Sequence, residues 1–121
     1  MIESVCCLFY RFSNYQFQIL LIKDGHTWTI PKSLIKEHES CDVAAKRISN
    51  IGFDIKTMLY LGSSLYTKHN SRLHGFATEV KHESFYLNPE EMQFFPIINA
   101  AFLIPRDQMV LLERLADAFD D

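Results

Sequence analysis

Trp28-Thr29-Ile30-Pro31-Lys32 leads into Ser33; five residues separate Ser33 from Glu39, seven separate Glu39 from Arg47, and Gly52 ends the run. Trp28 to Ile30 reads as a short strand stopped by Pro31, whose fixed φ and missing N–H interrupt a ladder. Lys32 to His38 follows neither the strand nor the helix period and is expected as a loop. From Ser40 the period becomes helical, with Ala44, Ile48 and Ile51 at i, i+4 and i+7 and Gly52 placed to close the helix in a left-handed conformation. The stretch is thus strand, polar loop and helix.

Upstream, Ser4 to Phe12 is rich in β-formers, Ser13-Asn14 suits a turn, and Phe17 to Lys23 resumes an apolar run that Asp24-Gly25 ends. These segments predict a hairpin of two central strands. Downstream, Leu59 to Thr67 and Leu73 to Val80 flank the polar turn Lys68 to Arg72 and predict a second hairpin. Asn88-Pro89 marks a loop. Asn99 to Ile104 is expected as one more short strand. After Pro105, Leu112, Leu115, Ala116 and Phe119 recur at helical spacing and predict an amphipathic closing helix. Each helix has one apolar stripe to bury, so the expected architecture is α/β (α+β), a mixed β-sheet sandwiched between α-helices.

No linker, repeat or low-complexity tract divides the chain, so residues 1–121 are read as one domain. Its 121 residues carry 12 Lys and Arg against 15 Asp and Glu, a formal charge of −3. That balance supplies no basic stripe for a duplex nucleic acid. The longest apolar runs, Ile19 to Ile22 and Ala100 to Ile104, fall far short of the roughly 20 residues that cross a bilayer, so no membrane partner and a cytoplasmic location are expected. Cys6, Cys7 and Cys41 read as reduced packing thiols. The five histidines are scattered, with no pair at i, i+4 on one helix, which argues against a zinc site.

The residues from Trp28 to Lys32, with Glu39, Ala44-Ala45, Arg47 and Gly52, resemble the signature of the Nudix hydrolases. In that family's box a Gly, five residues, a Glu, seven residues and Arg-Glu are followed by a Glu-Glu pair and a second Gly, usually after a Trp-x-x-Pro-Lys approach. Ser33 stands at the first Gly, Glu39 at the first Glu and Arg47 at the Arg. A softer similarity, Gln93 to Pro96, Ala100 to Phe102 and Leu111 to Leu115, resembles a bacterial subgroup of predicted nucleotide pyrophosphohydrolases. The resemblance implies a Nudix-like sheet between helices, and a Glu39–Arg47 ion pair fastening the loop to the helix.

The back half of the box departs from the family. Ile48 follows Arg47 where the family has Glu, the Glu-Glu pair is missing, and two positions are gone before Gly52. From Val43 to Phe53 there is no Asp or Glu. The family's glutamates hold Mg²⁺ or Mn²⁺, which clamps phosphate oxygens and activates water, and hard cations need anionic oxygen ligands. The expectation is therefore no metal cofactor, no catalytic residue and no metal-dependent hydrolysis, with a retained site for a nucleotide or other diphosphate-containing small molecule. Lys32 is the first candidate for phosphate contact, because it follows Pro31 and matches the family's Lys; Lys36, Lys46 and Lys68 are further candidates. Two alternatives stand beside this reading. One is an active hydrolase using Mg²⁺ or Mn²⁺ on relocated ligands, drawn from Glu37, His38, Glu39 and Asp42 or from Glu83, Glu90 and Glu91. The other is a partner-binding module, with a homodimer through the second half of the sheet and the closing helix.

Overall fold

The computed structural model describes residues 1–49, 57–80, 88 and 90–119. Val5 to Phe9 are five successive residues with no solvent exposure, which places their strand in the middle of a sheet covered on both faces. This strand, β1 (Ile2–Ser13), is followed by β2 (Gln16–Asp24), β3 (Thr27–Thr29), β4 (Lys32–Leu34), α1 (Cys41–Ser49), β5 (Leu59–Tyr66), β6 (Ser71–Glu79), β7 (Met92–Pro96), α2 (Ile97–Leu103) and α3 (Arg106–Ala118). The strands form one seven-stranded sheet in the order β3-β2-β1-β6-β5, with β4 pairing β1 and β7 pairing β2. β1 runs parallel to β6, from Ile2 opposite Ser71 to Tyr10 opposite Glu79, and the other pairings are antiparallel.

The strand period of two sorts the core into two layers. Cys6, Leu8, Ile19 and Leu21 face α2 and α3, where they meet Ala100, Leu111 and Leu115. Val5, Cys7, Phe9 and Leu20 face the other side, where they meet Ala44 and Ala45 of α1. The fold class is the mixed sheet between helices that the sequence predicts. No helix among the described residues is long and apolar enough to cross a membrane.

Three elements differ from expectation. Asn99 to Ile104 is not a strand but falls largely within α2, because Pro96 opens and Pro105 follows a stretch whose Ile97, Ala100 and Ile104 lie at i, i+3 and i+7 and turn inward together. A short apolar run bounded by prolines fits either period, and here packing onto β2 selects the helix. Lys32 to Leu34 is β4 rather than loop, since Val5 opposite Ser33 and Cys6 opposite Lys32 extend the β1 ladder. Met92 to Pro96, unassigned from sequence, is β7. In α3 the buried stripe is Gln108, Leu111, Leu112 and Leu115, one turn earlier than expected, and Phe119 stays 44% exposed. The expected Ile51 stripe position and Gly52 cap lie outside the described residues.

Two glycines serve close approaches. At Gly62, φ is +85° beside the irregularity between Tyr60 and Gly62, and Arg114 of α3 donates from Nη1 to the carbonyls of Leu61 at 3.0 Å and Ser63 at 2.9 Å. Gly75 of β6 lies under Leu111, and a Cβ there would stand 2.9 Å from Leu111 Cδ2. Gly75→Ala should therefore cost about 1–3 kcal/mol through overpacking. Its effect should shrink when Leu111 is first shortened to Ala, as measured by urea unfolding of the two singles and the double.

Candidate functional site

The loop and helix from Lys32 to Ser49 are organised around Arg47. Ser40 caps the helix, its Oγ accepting from the Val43 N–H at 3.4 Å, and the period then turns Ala44 and Ala45 onto the sheet and leaves Arg47 on a flank facing β4. Arg47 Nε donates to Glu39 Oε2 and Nη2 to Glu39 Oε1, both at 2.9 Å, a two-pronged fork. Nη1 donates to Ser33 Oγ at 3.1 Å and Nη2 to the Leu34 carbonyl at 3.0 Å. Glu39 Oε1 also accepts the Lys36 N–H at 3.0 Å, closing the turn in which His38 adopts φ +66°. Ser33, standing where the Nudix resemblance has a glycine, lies in extended strand, so a side chain fits and its hydroxyl gives Arg47 a third anchor.

The Glu39 side chain is 11% exposed. The Arg47 hydrogen bonds, then the Lys36 N–H, hold its carboxyl down at about 2, and the same pair pushes the Arg47 guanidinium further up. Asp42, in the first turn of α1, is lowered mainly by its hydrogen bond with Ser40. Ile48 packs partly buried against the α1-side core, the layer that contains Val5, Cys7 and Phe76. Cys7 Sγ donates to the Ala45 carbonyl at 3.5 Å, and burial pushes its thiol up to about 11; burial also raises Cys6, on the opposite layer.

The four candidate lysines are all exposed and are not gathered at one point. Lys36 sits in the turn that Glu39 closes, and Lys46 lies on the exposed side of α1. Lys32 stands opposite Cys6, so its side chain leaves the sheet on the α2 and α3 side, away from Arg47. Lys68 occupies a single turn of 3-10 helix, Thr67–His69, between β5 and β6. Of the relocated acids, Glu39 is engaged by Arg47, and Glu37 and His38 pair at 3.5 Å with both side chains about nine-tenths exposed. Glu83 lies outside the described residues. Among the described residues no three His, Cys, Asp or Glu side chains come together as a group that could hold a metal ion. The donor set that the described part of α1 offers, with Glu39 committed and Ile48 in the core, does not fit a magnesium or manganese site.

One buried residue escaped sequence reasoning. Gln108 of α3 has no exposure; its Oε1 accepts the Ile30 N–H at 2.9 Å and its Nε2 donates to Thr29 Oγ1 at 2.7 Å. It fixes the strand that leads into the loop. Its signal was present, because Gln108 lies at i−3 and i−4 from Leu111 and Leu112 on the buried stripe.

Solved structures share this fold. A mutT/nudix family protein from Listeria innocua matches at TM-score 0.77 with 19% identity, over 96% of this chain and 92% of that one. The chain has the Nudix fold. The C. elegans Ap4A hydrolase matches at TM-score 0.75 with 15% identity over 99% of both chains. The NUDIX domain of Shewanella oneidensis NrtR, solved with ADP ribose, matches at 0.68 with 12% identity, over 99% of this chain and 89% of that one. No family model and no curated protein matches the sequence.

Because the Glu39 carboxyl sits at about 2 when folded against an ordinary 4.5, its contribution to stability is complete above about pH 4.5 and is lost as pH falls toward 2. Glu39→Gln should therefore be less stable than the parent at pH 7, and the gap should close below pH 4, as read from urea midpoints across pH. Gln108→Leu keeps the volume but orphans the buried Ile30 N–H, and should lower stability by about 1–3 kcal/mol in the same measurement.

Proposed function

We propose that this Nudix-fold chain binds a nucleotide or another diphosphate-containing small molecule without hydrolysing it by a metal-dependent route. The observation that carries the reading is Ile48: the residue after Arg47 is an apolar side chain packed into the α1-side core, and no acid occurs from Val43 to Phe53. An apolar side chain raises the cost of holding a divalent ion nearby. Metal assistance is worth several kcal/mol in a transition state, and each ~1.4 kcal/mol is tenfold in rate, so turnover should fall by orders of magnitude. The Glu39–Arg47 fork serves the shape of the loop independently of chemistry. That NrtR's NUDIX domain was solved with ADP ribose supports a ligand of this class. Lys36 and Lys46, beside the fork, and Lys32 and Lys68, farther away, are the proposed phosphate contacts, and their affinity should be screened by salt.

A second reading, partner binding or a homodimer, is favoured by the outer side of α2. Ile98 is 73% and Phe102 86% exposed, and with Phe95, Asn99 and Leu103 they line a depression of about 390 Å³.

The test is thermal unfolding with ADP or ADP-ribose, each with EDTA or Mg²⁺, alongside hydrolysis of the same compounds. The melting temperature should rise with nucleotide in EDTA and gain nothing from Mg²⁺ alone, with no product released. Mg²⁺-dependent turnover that Glu39→Gln abolishes would replace this reading with the active hydrolase. Concentration-dependent dimerisation without nucleotide binding would replace it with the partner module.

A further inference from the structure

On the α1 side of the sheet, β1, β5 and β6 bring together Glu3, Tyr60, Arg72 and His74. The strand pairing puts Glu3 directly opposite Arg72 and Val5 opposite His74, so all four side chains share the face that also carries Ser33 and Arg47. Tyr60 Oη lies 2.9 Å from His74 Nδ1, His74 Nε2 lies 3.3 Å from Glu3 Oε1, and Arg72 Nη1 lies 3.8 Å from the same oxygen. With its proton on Nε2, the imidazole donates to Glu3 Oε1 and its Nδ1 accepts from the Tyr60 O–H. The imidazole side chain is 14% exposed and is held at both nitrogens.

That wiring determines what remains for a ligand. Tyr60 is 49% exposed, with its ring set against Phe76 at 5.1 Å and against His74 at 6.1 Å and 29°, which leaves a rigid aromatic surface open to solvent. Its oxygen keeps acceptor capacity, and so does Glu3 Oε2. Arg72 makes one long contact with Glu3, leaving most of its donors without a protein partner among the described residues. Along β6, Arg72 lies four residues from Phe76, the level of Tyr60, a span of about 13 Å. A flat ring, then hydroxyl donors, then an anion is the order in which these groups are satisfied.

We propose that Tyr60, His74, Glu3 and Arg72 form a nucleotide subsite: a purine stacks on Tyr60, the ribose hydroxyls donate to Glu3, and the phosphate pairs with Arg72. His74 is a positioning residue that fixes the Tyr60 ring and the Glu3 carboxylate. The inference rests on the nucleotide-binding reading and adds to the four lysines a set of residues for the nucleoside and its first phosphate. Aromatic stacking tolerates many bases, a carboxylate recognises a ribose hydroxyl, and a guanidinium matches phosphate geometry.

Titration calorimetry in EDTA with AMP, adenosine and 2′-deoxy-AMP tests it, on the parent, Tyr60→Ser and Arg72→Gln, each checked for folding by circular dichroism. AMP should bind the parent, and Tyr60→Ser should weaken it at least tenfold. Arg72→Gln should erase the preference for AMP over adenosine, and 2′-deoxy-AMP should bind less tightly than AMP. Should Tyr60→Ser not fold, AMP added to the parent should still shift the His74 ring protons by NMR. Parent-like AMP affinity in both folded variants, or His74 protons that stay fixed as AMP saturates the parent, would overturn this subsite and leave the broader reading standing. A parent that binds neither AMP nor ADP-ribose would overturn both.

Discussion

Four hydrogen bonds leave the Arg47 guanidinium: two to the Glu39 carboxylate, one to Ser33 Oγ and one to the Leu34 carbonyl. They join three short pieces directly, namely a three-residue strand, a turn holding a left-handed His38, and a helix of nine residues. An isolated helix of that length is marginal in water. What holds α1 is its small stripe, Ala44 and Ala45 pressed on β1, together with this fork at its flank. Lysine at position 47 would keep the charge but lose the planar arrangement that reaches carboxylate, hydroxyl and carbonyl at once.

The same geometry separates shape from chemistry. The loop and helix keep their shape through the Glu39–Arg47 pair and the Ala44–Ala45 stripe, and neither partner of the pair needs a metal ion to be satisfied. Ile48 then has no constraint except packing, and it adds to the layer built by Val5, Cys7 and Phe76. The opposite layer is independent of this helix: it is organised by α3, whose Leu111 fits over Gly75 and whose Gln108 holds Thr29 and Ile30.

Much of this was legible in the residues. Ser4 to Phe12 announced a buried central strand, the Glu39 to Arg47 spacing announced the loop and helix, and the apolar period after Pro105 announced α3. What failed did so for identifiable reasons. Ile97 to Ile104 is short and apolar, and such a run fits two periods until its neighbours decide. Lys32 to Leu34 is too short for a period and becomes strand only because β1 extends beyond β2 and offers an unpaired edge. The α3 stripe begins one turn before its apolar residues do, because the polar Gln108 is buried on two hydrogen bonds. The Tyr60, His74 and Glu3 cluster was invisible, since its members are separated by up to 71 positions and meet only through the parallel pairing of β1 with β6.

The outermost strand carries one further consequence. Among the described residues β5 pairs on one side only, and its eight residues, Leu-Tyr-Leu-Gly-Ser-Ser-Leu-Tyr, contain no charge and no proline. Such a rim is ordinarily a template on which a foreign chain can add, the first step of aggregation. Here Arg114 reaches over from α3 and occupies the Leu61 and Ser63 carbonyls, while the Gly62 irregularity twists the rim at the same point. The cation that the strand lacks in its own sequence comes from a helix some fifty residues later, and a guanidinium held over two of its carbonyls blunts the rim as a template.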